Sequence, residues 1–70
     1  MNDKQAEIAN SLMANACIYH EKFIAGEITF AIFEDLILEK KGFAIRFLDH
    51  KYTKEVMDFI KKEIEPALQN

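Results

Sequence analysis

The chain has 70 residues, half of them hydrophobic and 30% charged, with 12 acids against 9 basic residues and a formal net charge of −3. A length of this order holds one domain that buries only about 60 to 65% of the surface its unfolded form exposes, and an acidic balance works against the phosphate neutralisation on which nucleic-acid binding rests. The single cysteine, Cys17, rules out an internal disulfide.

An unpaired thiol fits a reducing compartment. The opening Met1-Asn2-Asp3-Lys4-Gln5 lacks the basic and apolar regions of a secretion signal, and no apolar run approaches the roughly 18 to 20 residues that cross a bilayer. The expectation is an intact cytoplasmic protein with no membrane contact. For so small a scaffold, apolar burial and chain entropy nearly cancel, so a staple is usual. Without disulfides, the favoured staple is association with a second copy or with another protein.

The first predicted element is a helix over residues 4–25. Ile8, Leu12, Ala16, Tyr19 and Phe23 recur at steps of three and four, flanked by Ala9, Met13 and Ile24, and together form one broad apolar stripe. Asn2 or Asp3 is placed to cap its start, and Gly26 to end it in the left-handed conformation. The join Gly26-Glu27-Ile28-Thr29 reads as a tight turn. Ile28 drops into the corner and Thr29 accepts a backbone N–H bond at the head of the next helix. Ile32 stands where a capping box would need Glu or Gln.

The second predicted helix, 29–41, is greasy on nearly every side. From Phe30 to Lys40, only Glu34, Asp35, Glu39 and Lys40 interrupt Phe30, Ala31, Ile32, Phe33, Leu36, Ile37 and Leu38. A chain of this size has little interior for so many apolar groups, which points to a partner.

The third element, 44–65, follows a break expected at Gly42. Residues 43–48 alternate like a short strand, but a lone strand would have no pairing partner, and Ile45, Leu48, Tyr52, Val56, Phe59 and Ile60 share one helical face. Helix is the favoured reading. Spacings Lys51/Glu55, Lys54/Asp58, Asp58/Lys62 and Lys61/Glu65 suit i,i+4 ion pairs, and Pro66 should fray the end near Glu65. Ile18, Leu38, Phe43 and Phe47 fall off the main stripes of their helices.

Candidate chemistry is sparse. Cys17 and His20 have a spacing that lets two ligands reach one metal, with Asp49 and His50 as completing groups, but structural zinc sites are richer in cysteine. We assign no metal and no cofactor. His20 lies in the apolar stripe, where a structural role is the commoner one. Nucleophilic catalysis at Cys17 or Ser11 lacks an oxyanion hole, since both sit mid-helix. The carboxylates Glu34/Asp35 and Glu63/Glu65 belong to faces that should be solvated, and two glycines 16 residues apart build no phosphate loop. Arg46, Lys51, Tyr52 and Lys54, near Lys40-Lys41, form the one basic and aromatic concentration, a possible contact for a nucleotide or single strand. Asp49 and Glu55 dilute it.

The sequence thus predicts an all-α domain spanning 1–70, a helical hairpin plus a long third helix completed by self-association. Its expected role is non-enzymatic: a regulatory or inhibitory interaction module, of a size and acidity met among bacterial and phage regulators. It would act as a homodimer or higher oligomer on another protein through Phe33, Leu38, Phe43 and Phe47. The competing readings are a DNA-binding helical module and an oligomer that sequesters a small anion such as a nucleotide.

Overall fold

The first helix, α1 (Lys4–Ile24), closes through the corner that its sequence dictates. Gly26 takes φ +79°, its N–H donates to the Phe23 carbonyl at 3.0 Å, and the Glu27 N–H donates to that of Lys22 at 2.8 Å. This pair of bonds is a Schellman closure, which only a residue at ease with positive φ completes without strain. Ile28 packs against the core. Thr29 then caps α2 (Phe30–Phe47), its Oγ1 accepting the Ile32 N–H at 3.2 Å. The computed structural model describes residues 4–69, so the expected cap of α1 by Asn2 or Asp3 lies outside the described residues.

Gly42 does not break the second helix. Its Cβ position is open and its φ is not positive, so the helix continues to Phe47 at the modest entropic cost of one interior glycine. Continuing keeps Ala44 on the same line as Phe33 and Ile37, all three fully or almost fully buried. The break falls instead at Leu48 and Asp49, and α3 runs from His50 to Phe59. Tertiary contacts hold this joint: Gln5 Oε1 accepts the Asp49 N–H at 2.8 Å, and Thr53 Oγ1 faces the carbonyls of Ala44 and Leu48. The expected boundaries 29–41 and 44–65 are corrected accordingly. Ile45, expected on the inner face of a third helix, is 63% exposed on α2.

Beyond Phe59 the chain widens into a π turn, Ile60–Ile64, and ends in a 3-10 turn, Glu65–Leu68. Pro66 is the cause. It has no N–H for the Lys62 carbonyl, and its ring would collide with that group in a regular helix. A wider turn accommodates both, with the Glu65 N–H bonding back to the Ile60 carbonyl. Glu65 itself stays helical at φ −60° and ψ −28°, so the disturbance lies upstream of the fraying expected there. The wider turn also serves packing. Val56, Ile60 and Ile64 are four apart and all buried; on a regular helix such steps drift about 40° each, and a π turn offsets that drift.

The result is a three-helix bundle in which α1 packs on both α2 and α3, and α2 on α3. Ala9, Ala16 and Ala44 keep the helices close, while Leu12, Phe33, Ile37, Leu48, Val56, Ile60 and Ile64 fill the interior. Phe33 is the largest fully buried side chain. It stacks on Phe23 with centroids 4.9 Å apart, and on His20 at 5.8 Å. Among the described residues no polar or charged side chain is buried.

The bundle is a rod of 41 × 18 × 17 Å with a radius of gyration of 12.2 Å, against about 11 Å for a rounder chain of this length. Its 4877 Å² of accessible surface exceeds the roughly 4,500 Å² expected of a compact protein of this mass.

Candidate functional site

Among the described residues the rod leaves eight large apolar side chains exposed by more than 40%, including Ile18, Leu38, Phe43 and Phe47, the four that fall off the stripes in the sequence. Their arrangement on α2 follows from the helical step of about 100° per residue. Phe33, Ile37 and Ala44 fall within about 40° of arc and define the line facing the core. Ile32, Leu36, Phe43 and Phe47 fall within a second arc of about 60°, set roughly 90° to one side. Leu38 and Ile45 form a shorter pair on the opposite flank. The helix is greasy on nearly every side because it carries a core line with an apolar flank to either side of it.

Phe43 and Phe47, one turn apart, lie with ring centroids 4.6 Å apart and are 43% and 56% exposed. Beside Phe43 a cleft of about 360 Å³ runs between α1 and α2, lined by Glu7, Ile8, Ser11, Leu12 and Asn15 from one helix and by Lys40 and Phe43 from the other. No α3 residue lines it. Lys40 closes its rim, with its ammonium 5.6 Å from the centre of the Tyr19 ring and 3.7 Å from Glu39.

The four residues predicted as an interaction surface therefore separate. Phe43 and Phe47 share the flank beside the cleft, and Leu38 stands on the other flank, 57% exposed. Phe33 leaves the set: at 0% exposure it is core, because it lies on the line of α2 that meets Phe23 and His20. Ile32 and Leu36 join the flank instead. The signal that finds them is their spacing of four, seven and four with Phe43 and Phe47, which returns to one side of a helix.

The basic candidates do not converge. Arg46 is exposed in the last turn of α2, where a cation complements the helix dipole. Lys51 lies 5.4 Å from the centre of its neighbour's ring, Tyr52. Lys54 donates to Asp58 at 2.8 Å, and that hydrogen bond, with the carboxylate charge, raises its pKa above the ordinary 10.5. Of the four expected i,i+4 pairs only Lys54/Asp58 closes; Glu65, carried round by the π turn, pairs with Lys41 of α2 at 2.5 Å. That pair borders a smaller cleft of about 200 Å³, with Glu34 and Glu65 as its acids. None of Arg46, Lys51, Tyr52 and Lys54 lines either cleft.

Cys17 is half-buried, and among the described residues no group of three or more His, Cys, Asp or Glu side chains is placed to hold a metal. No helix among them is long and apolar enough to cross a membrane. No family model, curated protein or solved structure matches the chain.

Proposed function

We propose that the protein is a small non-enzymatic interaction module that pairs with itself and acts by occupying a surface on another protein, as an inhibitor or adaptor does. The observation that carries this reading is the apolar flank of α2. Phe43 and Phe47 stand open to solvent beside a cleft, and contiguous exposed apolar surface on a small protein marks an interface. A fold under such a strong size constraint gains from covering it. The separated basic residues give a nucleotide or nucleic acid no comparable site.

The test is affinity capture from the native host, read by mass spectrometry, with the wild type beside a variant in which Leu38, Ile45 and Phe47 are all lysine. All three positions are exposed and lysine suits a helix. The wild type should retain a protein that the variant loses. Identical sets of retained proteins would remove the reading.

A further inference from the structure

We infer that the cleft between α1 and α2 binds a small carboxylic acid with an apolar body, its carboxylate on Lys40 and its body between Ile8, Leu12 and Phe43. This site goes beyond the interaction reading above and does not depend on it.

Lys40 is the first argument. Two neighbouring lysines of α2 are largely covered, Lys41 with a side chain 24% exposed and Lys40 with one 18% exposed. The Lys41 ammonium donates to the Glu65 carboxylate. The Lys40 ammonium has no such acceptor among the described residues. Glu39 stops 3.7 Å from it, beyond hydrogen-bond length. The Tyr19 ring, with its centre 5.6 Å away, attracts the charge to its face but offers no oxygen there. An ammonium carries three N–H donors, and a covered cation gains more from an anion than one open to water does.

The walls supply the body of the site. The short corner from Gly26 to Thr29 makes α1 and α2 antiparallel, so residues equally far from it stand side by side: Asn15 beside Glu39, and Ser11 beside Phe43. The Lys40 side chain leans toward the corner, as side chains lean toward the start of their helix, and reaches the Tyr19 ring. Its charge therefore marks the corner end of the cleft, with the Asn15 amide on the facing wall as a further N–H donor. Ile8, Leu12 and Phe43 line the stretch away from the corner. A cleft of about 360 Å³ falls in the range of small-molecule sites, which combine apolar walls with a few polar groups.

Glu7 fixes the sign of the ligand and its direction. It lies eight residues before Asn15 on α1, about 12 Å along the axis at 1.5 Å per residue. Because Glu7 is exposed, an amine paired with it would gain little. A carboxylate at that end would meet a like charge. At the Lys40 end it lies more than a Debye length of about 8 to 10 Å from Glu7. An arylpropanoate or a medium-chain alkanoate has the length to put its head on Lys40 and its tail against Phe43.

The probe is octanoate, titrated into isotopically labelled protein and followed by NMR, with octanol as its uncharged counterpart. The amide signals of Ser11, Asn15 and Phe43 should shift saturably. Octanoate should bind about tenfold or more tighter than octanol, the margin that a charge-assisted hydrogen bond supplies. Lys40→Met keeps the stem and suits a helix, so octanol binding should persist while octanoate falls to the same level. Ser11→Phe, at an exposed position, fills the cleft beside Phe43 and should abolish both, with helical circular dichroism unchanged. Absence of saturable shifts at these residues overturns the site. So does equal affinity for octanoate and octanol in the wild type, or undiminished octanoate binding by Lys40→Met. None of these outcomes decides the capture experiment above, so the ligand site and the interaction reading fail separately.

Discussion

Thr53 Oγ1 sits 2.9 Å from the Ala44 carbonyl oxygen and 3.1 Å from that of Leu48, so one hydroxyl in α3 serves two carbonyls at the end of α2. The Ala44 carbonyl already accepts the Leu48 N–H at 3.0 Å, so the hydroxyl reinforces that closing bond and also reaches the Leu48 carbonyl just past the helix end, where partners are scarce. The same group holds α3 against the joint and sets where the second helix stops.

Thr53→Val keeps the shape of the side chain and removes the donor. The expected cost is about 1 to 2 kcal/mol, the range for a part-buried hydrogen bond whose acceptors are left without it. Urea denaturation followed by circular dichroism measures it. A loss under about 0.3 kcal/mol would mean that water replaces the hydroxyl at no expense.

The two glycines should respond to alanine in opposite directions. At Gly42 the added Cβ meets nothing within 4 Å and the backbone is that of an interior helical residue, so Gly42→Ala should stabilise by about 0.5 to 1 kcal/mol. At Gly26, φ is +79°, and alanine there should destabilise by about 1 kcal/mol or more even though space is open. Thermal unfolding of the two variants, side by side, gives the signs directly.

Lys54 and Asp58 are both 64% exposed, so their ion pair contributes little, and its pH dependence has a definite sign. The folded pKa of Lys54 lies above 10.5, raised first by the hydrogen bond to Asp58 and then by its charge. Its contribution is therefore complete below 10.5 and is lost as pH climbs through the folded value. The small difference in melting temperature between wild type and Asp58→Asn should hold constant from neutral pH to about 10 and shrink above that. Added salt should shrink it at every pH.

The parts of the fold legible in the sequence are those fixed by local chemistry. The corner from Gly26 to Thr29 is one, since its glycine, its apolar plug and its cap each act within a few residues. The inner stripe of α1 is another, because polar residues on its far side give the period a direction. The inner line of α2 was not legible. With apolar side chains almost all round, periodicity alone cannot say which line faces inward, and Phe33 reads as well outward as inward until α1 brings Phe23 and His20 against it. The α2–α3 joint escaped for a related reason. Gly42 carries the strongest local signal for a break, but Gln5, far off in sequence on α1, and the hydroxyl of Thr53 in the following helix hold the chain at Leu48 and Asp49 instead. Exposure at Leu38, Phe43 and Phe47 was legible because each departs from an apolar period.

Phe33 and Phe47 are both phenylalanines of α2, and their replacements should separate folding from association. Removing the Phe33 ring leaves a hole beside Phe23 and His20 and deletes two stacked ring contacts, at a cost of about 3 to 5 kcal/mol for a fully buried phenylalanine. A domain of this length has roughly 4 to 10 kcal/mol in all, so Phe33→Ala should unfold at a far lower temperature or lack a folded state. Phe47 is 56% exposed, and Phe47→Lys exchanges it for a good helix former whose charge suits the C-terminal end of α2. Circular dichroism should therefore show Phe47→Lys with nearly full helix content and Phe33→Ala without it, while sedimentation velocity assigns any change in mass of the lysine variant to the surface alone. If Phe47→Lys also unfolded, its ring would be serving the interior of a single copy, and the flank of α2 would lose its standing as an interface.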